Sequence, residues 1–288
     1  MASMRDIKRR RGSIQGTQQI TKAMKLVSTV KLQRARASAE RSKDYFTSMY
    51  DTVCSILKRV GHVEHRYLTP GASQKKAVIV ITSNRGLAGG YNSNVTKLVT
   101  RHPEWKKSDV EIYCLGSKGR EAFARYGYEI KECNDEIVES PVYKDAAELC
   151  AKLLDAFAAG EIGEIYLAYT KFKNTVSHIP TLLKLLPVEI SEEESAAEEK
   201  ETAAIMNFEP EDTEALDMLI PKYVTSLIYG ALRESVASEN GARMQAMDNA
   251  TSNAEEMISD LTLMYNRARQ GSITQELTEI IAGAEALG

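Results

Sequence analysis

Histidine is scarce in this chain, with four among 288 residues, and none stands in a catalytic motif. GxxxxGK[ST], GxSxG, HExxH and a complete GxGxxG are all missing. That sets aside phosphate-loop, nucleophile-elbow and zinc-protease chemistry. No catalytic residue, cofactor or metal site is assigned. The four cysteines, Cys54, Cys114, Cys133 and Cys150, show no CxxC spacing. They read as reduced, buried thiols of a cytosolic protein. No apolar run approaches the roughly 20 residues that span a bilayer, and no secretory apolar region opens the sequence. The Arg-rich, Ser-containing start has the composition of a transit peptide. Its pattern continues unbroken for about forty residues, however, and reads as mature structure.

What is present begins at the two ends, which read alike. Proline does not occur before Pro70. Residues 4–58 carry Ile7, Ile20, Met24, Val27, Leu32, Phe46, Met49, Val53 and Leu57 near helical spacing. From about Asp212 to Ala286 a second helix carries Val224, Leu227, Ile228, Ala231, Ala250, Ala254, Met257, Leu261, Met264 and Ala268. Pro221 is placed in or near its first turns. At ~1.5 Å per residue these helices would be about 80 and 105 Å long. Isolated helices need a partner surface, so the two stripes are expected to pair as an antiparallel coiled coil.

The middle has another rhythm. AVIVIT within Lys76–Ser83, VEIYCL (Val110–Leu115), Tyr128–Glu132, Glu164–Tyr169 and Thr181–Ile190 read as strands. Helices are expected over the stretch ending at His102, Lys118–Tyr126 and Tyr143–Ala159. Strands alternating with helices indicate an α/β domain with a largely parallel sheet. The domains are therefore 1–60 (N-terminal coiled-coil helix), 75–190 (α/β), 191–210 (acidic, variable) and 211–288 (C-terminal coiled-coil helix).

Charge is unevenly placed. Residues 1–43 hold twelve Lys/Arg against two acids, and residues 191–217 hold eleven acids against Lys200. A basic end can meet an acidic protein, nucleic acid or anionic lipid, or be a solvated helix face. Nucleic-acid binding predicts stacking aromatics among the cations, and none precedes Tyr45. NRGLAGGYN after a strand has the look of a phosphate-cradling turn, though a tight structural or interaction loop fits it better. His62 and His65 read as exposed loop histidines, not as ligands, and Glu192–Glu194 as part of a solvated run.

Several stretches together resemble one family. They are IKRR (Ile7–Arg10), TQQITKAMKLVS (Thr17–Ser28), TSNRGLAGGYN (Thr82–Asn92), Ala242-Arg243-Met244, AMDNAT (Ala246–Thr251), YNRARQ (Tyr265–Gln270) and ITQELTEI (Ile273–Ile280). In order, and over the whole chain, they are similar to the gamma subunit of F-type ATP synthases. Asn84, Ala88 and Gly241 depart from the family's usual Asp, Cys, and Ala or Gln. The paired-cysteine insertion of chloroplast members is missing, which favours a bacterial source.

The resemblance implies a long antiparallel coiled coil of N- and C-terminal helices with an inserted Rossmann-like α/β domain. It implies a non-catalytic central rotor shaft, which couples ion flow through a membrane c ring to ATP synthesis or hydrolysis in an alpha–beta hexamer. The implied partners are the alpha and beta subunits, the epsilon subunit and the c ring, with no nucleic acid and no membrane insertion. The implied location is peripheral, on the cytoplasmic face of the bacterial plasma membrane. By the same resemblance Met24, Arg243, Arg269, Gln270 and Thr274 face beta subunits. Ile273, Leu277, Ile280, Ile281 and Leu287 form an apolar bearing tip, and Phe208 belongs to the foot near the c ring. The alternative reading is an α/β nucleotide-binding protein with helical arms.

Overall fold

The computed structural model describes residues 3–60, 65–188 and 212–287. His62, Glu192–Glu194, Phe208 and the rest of the acidic stretch lie outside the described residues. Ten principal elements follow in chain order: α1 (Met4–Val60), β1 (Lys76–Ile81), α2 (Tyr91–Thr100), β2 (Val110–Leu115), α3 (Ser117–Tyr126), β3 (Glu129–Asn134), α4 (Tyr143–Ala158), β4 (Glu164–Phe172), β5 (His178–Leu186) and α5 (Asp212–Leu287). They divide into two compact units. One joins Met1–Thr29 to Arg243–Gly288, and the other is Val30–Ala242.

The first unit is the antiparallel helix pair. Ser3 starts α1 as a capping residue: its hydroxyl accepts the Asp6 N–H at 3.3 Å and donates to Asp6 Oδ2 at 2.8 Å. Along α1 the least exposed positions are Ile7, Arg11, Ile14, Gln18, Thr21, Met24, Lys25 and Ser28, and along α5 Met247, Thr251, Ala254, Ile258, Leu261, Tyr265 and Ala268. Alternating steps of three and four residues connect these positions, apart from the adjacent Met24 and Lys25, which is the heptad pattern of a coiled-coil seam. Cross-helix contacts fix the register. Thr21 Oγ1 lies 2.8 Å from Thr251 Oγ1, and Lys25 Nζ donates to Asp248 Oδ1 at 2.6 Å. Gln18 Nε2 donates to Glu255 Oε1 at 3.1 Å, and the Arg11 guanidinium sits 5.5 Å from the Tyr265 ring centre.

This corrects the phase read from hydrophobicity. Ile20 and Val27 are 61% and 57% exposed, and Met257 and Met264 are also outside the seam. On α1 the buried positions fall one residue later, on the hydroxyls of Thr21 and Ser28.

In the second unit the strand order is β3-β2-β1-β4-β5. The first four strands are parallel and β5 runs antiparallel to β4. The central strand β1 is apolar on both faces because both are covered. Val78 and Val80 join Val95, Val99, Ile112 and Phe123 on one side. Ile79 and Ile81 join Leu149, Leu153, Phe157, Leu216 and Ile228 on the other. Gly116 lets β1 and α3 meet: it sits at φ +105°, and a Cβ there would lie 2.3 Å from the Thr82 carbonyl oxygen.

Strand β4 outruns its neighbour, since β1 pairs with it only as far as Ala168. Helix α5 supplies what the missing strand would. Ser238 Oγ donates to the Thr170 carbonyl at 3.1 Å, Ser235 Oγ accepts the Thr170 N–H at 3.5 Å, and Glu234 Oε2 accepts the Phe172 N–H at 3.4 Å. Each buried backbone group thus finds a partner.

Boundaries move where strands lie near the sheet edge. β3 is Glu129–Asn134 instead of Tyr128–Glu132, β4 continues to Phe172, and β5 begins at His178 instead of Thr181. Pro221 sits at the tenth residue of α5, well inside the helix. His65 is buried, contrary to the loop reading. Its Nδ1 accepts the Tyr67 N–H at 3.3 Å, and its Nε2 lies 3.2 Å from Asp217 Oδ1 at an angle outside hydrogen-bond geometry. Cys114 and Cys150 are buried, Cys133 is half-buried, and all three are free thiols.

Candidate interaction surfaces

The turn Asn84–Gly90 follows β1 where the chain crosses to β2 on one side and β4 on the other. That is the position at which open α/β sheets bind ligands. Here the residues flanking the turn are tied to the start of α3. The Ser117 N–H bonds Asn84 Oδ1 at 3.0 Å, the Lys118 N–H bonds the Ser83 carbonyl at 3.1 Å, and the Gly119 N–H bonds Thr82 Oγ1 at 2.8 Å. Three consecutive amides at the start of α3 therefore face protein. On the other side Asn92 Oδ1 accepts the Ser83 N–H at 2.9 Å, and Asn84 Nδ2 donates to the Asp135 carbonyl at 2.6 Å. The NRGLAGGYN motif is a clasp between β1, α2, α3 and the segment after β3.

At the opposite end of the sheet a row of charges crosses all five strands. Lys184 on β5 and Lys76 on β1 share Glu164 on β4, with Lys184 Nζ at 3.2 Å. Lys75 and Lys131 share Glu111 on β2, at 2.7 and 3.4 Å, and Lys131 also meets Glu129 at 2.8 Å. Bonds to Glu111 raise the Lys75 pKa, and bonds to Glu129 and Glu111 raise that of Lys131. Burial would raise the Glu164 carboxyl, but its bonds to Lys76 and Lys184 outweigh that and hold it low. The thiols behave differently. Burial pushes Cys114 up to about 12, and Cys133 and Cys150 each up to about 11, which leaves them protonated and unreactive.

The surfaces with the most to offer a partner are on the helix pair. Outside its seam α1 exposes Ile20, Leu26 and Val27, and α5 exposes Met257, Leu263 and Met264. Beyond Ala268 nearly every described position of α5 is exposed. Ile273, Leu277, Ile280 and Ile281 recur there at helical spacing, 48–68% exposed. Thr274 Oγ1 turns back onto the Gln270 carbonyl at 2.9 Å, and Arg269 and Gln270 face outward. Met24 and Arg243 are half-buried, and the Leu287 side chain lies outside the described residues. The residues named from the sequence thus divide between the seam's margin (Met24, Arg243) and the exposed end of α5. The sequence reading missed the clasp and the charge row. Glu and Lys at strand starts could have signalled the row, whereas the clasp joins residues too distant for any local pattern.

An α/β unit carrying an internally satisfied loop, joined to a pair of long terminal helices with an apolar outer surface, defines a scaffold or coupling protein of mixed α/β class. A sequence-family profile described as ATP synthase matches residues 3–287. The chain is 62% identical over 291 residues to an ATP synthase gamma chain of Lachnoclostridium phytofermentans, covering 100% of both. It is 42% identical to a gamma chain described as sodium ion specific from Acetobacterium woodii, covering 99% of each. Among solved structures it is similar to a chain of the Euglena gracilis mitochondrial ATP synthase OSCP/F1/c-ring assembly. The TM-score is 0.67 at 18% identity, over 99% of this chain and 94% of that one, a likeness of fold. The chain belongs to the ATP synthase gamma-chain family.

Proposed function

We propose that this chain is the central rotor shaft of a rotary ATP synthase. In this reading it couples ion flow through a c ring to nucleotide chemistry in an alpha–beta hexamer, and catalyses nothing itself. The observation that carries the reading is the run of exposed apolar residues along a helix pair whose own seam gives several positions to Arg11, Gln18, Thr21, Lys25 and Ser28. Apolar surface at Ile20, Leu26, Val27, Met257, Leu263 and Met264 is removed from water only by an outer partner. A ring of subunits around the helices would supply that partner. The end of α5, with Ile273, Leu277, Ile280, Ile281 and Leu287, would turn in an apolar sleeve. No described residue there from Ile273 to Glu285 is Lys or Arg, so no cation would be dragged through that sleeve.

Met24 and Arg243, with Arg269, Gln270 and Thr274, would face loops of the beta subunits. Exposed ion pairs are worth roughly 0–1 kcal/mol each, which suits a contact that must be remade at every angle. The α/β unit would dock the epsilon subunit and, with Phe208, approach the c ring. Among the described residues no helix is long and apolar enough to cross a membrane. Attachment would therefore be peripheral, through the ring, on the cytoplasmic face.

Reconstitution tests the reading. The purified chain is expected to lack ATPase activity and to bind an alpha–beta hexamer with one copy per six subunits. Failure to associate, or saturable nucleotide binding by the chain alone, would overturn it.

A further inference from the structure

The β4–β5 hairpin rests on α5 at a place where the helix has no side chain. A Cβ on Gly241 would lie 2.6 Å from His178 Cε1 and 3.1 Å from His178 Nε2, closer than packed atoms allow. His178 opens β5 and pairs across the hairpin with Phe172, whose ring centre is 6.0 Å away. Both ring nitrogens are shielded from water, and neither has a partner in hydrogen-bond geometry. One helical face presents Glu234, Ser235, Ser238 and Gly241 to the strands. The first three hold the backbone of Thr170 and Phe172, and the last admits the imidazole.

We propose that His178 and Gly241 form a pH-dependent latch: the neutral imidazole seated in the gap at Gly241 holds the β4–β5 hairpin on α5, and a proton on the ring releases it. A neutral ring tolerates unpartnered nitrogens at modest cost. A charged ring in the same place has lost its hydration with no anion to replace it. The charged groups on the packed elements do not supply that anion. On α5 Glu234 is itself pushed towards its protonated form by burial, and its carboxylate is bonded to the Phe172 N–H. Glu239, two residues before Gly241, is not among the groups that act on the His178 pKa, and Lys171 and Lys173 of the hairpin are cations. Burial lowers the His178 pKa from the ordinary 6.5, opposed only by the Thr175 carbonyl. A histidine held below its unfolded value stabilises the packed state above about pH 6.5. That stabilisation is lost as pH falls through the lowered value.

Release would loosen the hairpin and alter the surface it presents. Its exposed apolar residues are Val176, 70% exposed, and Ile179. The latch is particular to this pairing, because a methyl group at position 241 leaves no room for the ring.

Hydrogen exchange of the full-length chain tests this, followed by mass spectrometry between about pH 5 and 8 and corrected for intrinsic exchange. In the native chain, protection of residues 170–180 is expected to be constant above pH 6.5, to fall by up to about tenfold per pH unit between pH 6.5 and the lowered pKa, and to level off below it. His178→Gln is expected to abolish that pH dependence. Gly241→Ala is expected to reduce protection of the hairpin at every pH while β1 and β2 stay protected. Constant protection in the native chain across the range would overturn the proposal. So would an unchanged profile in His178→Gln, or full protection in Gly241→Ala.

Discussion

Replacing Lys75 and Lys131 together by methionine is expected to destabilise the α/β unit more than replacing Glu111 by glutamine. Both changes dismantle the same charge cluster, but they leave different remainders. The Glu111 side chain is 7% exposed, while those of Lys75 and Lys131 are 48% and 39% exposed. In Glu111→Gln the two ammonium groups return to water, and the amide can still accept a bond from Lys75. The loss is the difference between a charge-assisted and a neutral hydrogen bond, about 1–2 kcal/mol. In the double lysine variant the carboxylate stays buried without a cation. Stranding one member of a fully buried pair costs about 3–5 kcal/mol, a ceiling here because the lysine ends reach solvent, but the loss still exceeds that of Glu111→Gln.

Urea unfolding followed through Trp105 provides the assay. It is the only tryptophan, and it stacks on His102 at 4.1 Å and meets Tyr166 edge-on at 4.7 Å, so its fluorescence reports on this unit. Equal losses, or a larger loss in Glu111→Gln, would refute the claim that burial of the shared anion decides the energetics.

Three further outcomes are expected. Converting Thr21 and Thr251 together to valine is expected to leave the helix pair's thermal stability unchanged or slightly raised. Converting one alone is expected to cost about 0.5–1.5 kcal/mol, read by circular dichroism, because its hydroxyl partner loses the cross-helix bond. Met24→Lys places a third cation beside Lys22 and the half-buried Lys25. It is expected to weaken ATP-driven ion pumping in the assembled complex while subunit stoichiometry stays normal. Glu164, held low by Lys76 and Lys184, contributes stability that is present above its ordinary pKa of 4.5 and lost as pH falls through the lowered value. Glu164→Gln is expected to flatten the acid limb of the urea midpoint measured from pH 6 to pH 3.

Both long helices were legible because nothing in either sequence breaks them except Pro221, which the fold tolerates. Strands β1 and β2 were legible because a sheet covered on both faces requires continuous apolar runs, and few other structures do. β3 and β5 were displaced by up to three residues at their starts. Each is an edge strand whose exposed half admits Glu, Lys, His and Pro, so composition marks its ends poorly. His65 was misplaced because its burial depends on Tyr67 and on Asp217, some 150 positions away. The phase of the helix pair failed for a different reason. Hydrophobicity identifies which residues leave water in the working state, and under the proposed function that state covers Ile20 and Val27 with other subunits.

That error in phase is the strongest internal argument for a sleeve. A self-sufficient coiled coil buries its apolar residues in the seam and turns polar groups outward. Here Arg11, Gln18, Thr21, Lys25 and Ser28 share the α1 side of the seam with Ile7, Ile14 and Met24, while Ile20, Leu26 and Val27 face out. The small hydroxyls of Thr21 and Thr251 meet across the seam at 2.8 Å. Polar seam positions specify register at some loss of stability. The pair is thus held in alignment by directional bonds, and much of its apolar surface is left for others to cover. Leu261 and Met264, three residues apart on α5, show the division: one is 8% exposed within the seam and the other 55% exposed outside it. Leu261→Ala is accordingly a lesion of the helix pair itself, and Met264→Ala a lesion only of what surrounds it.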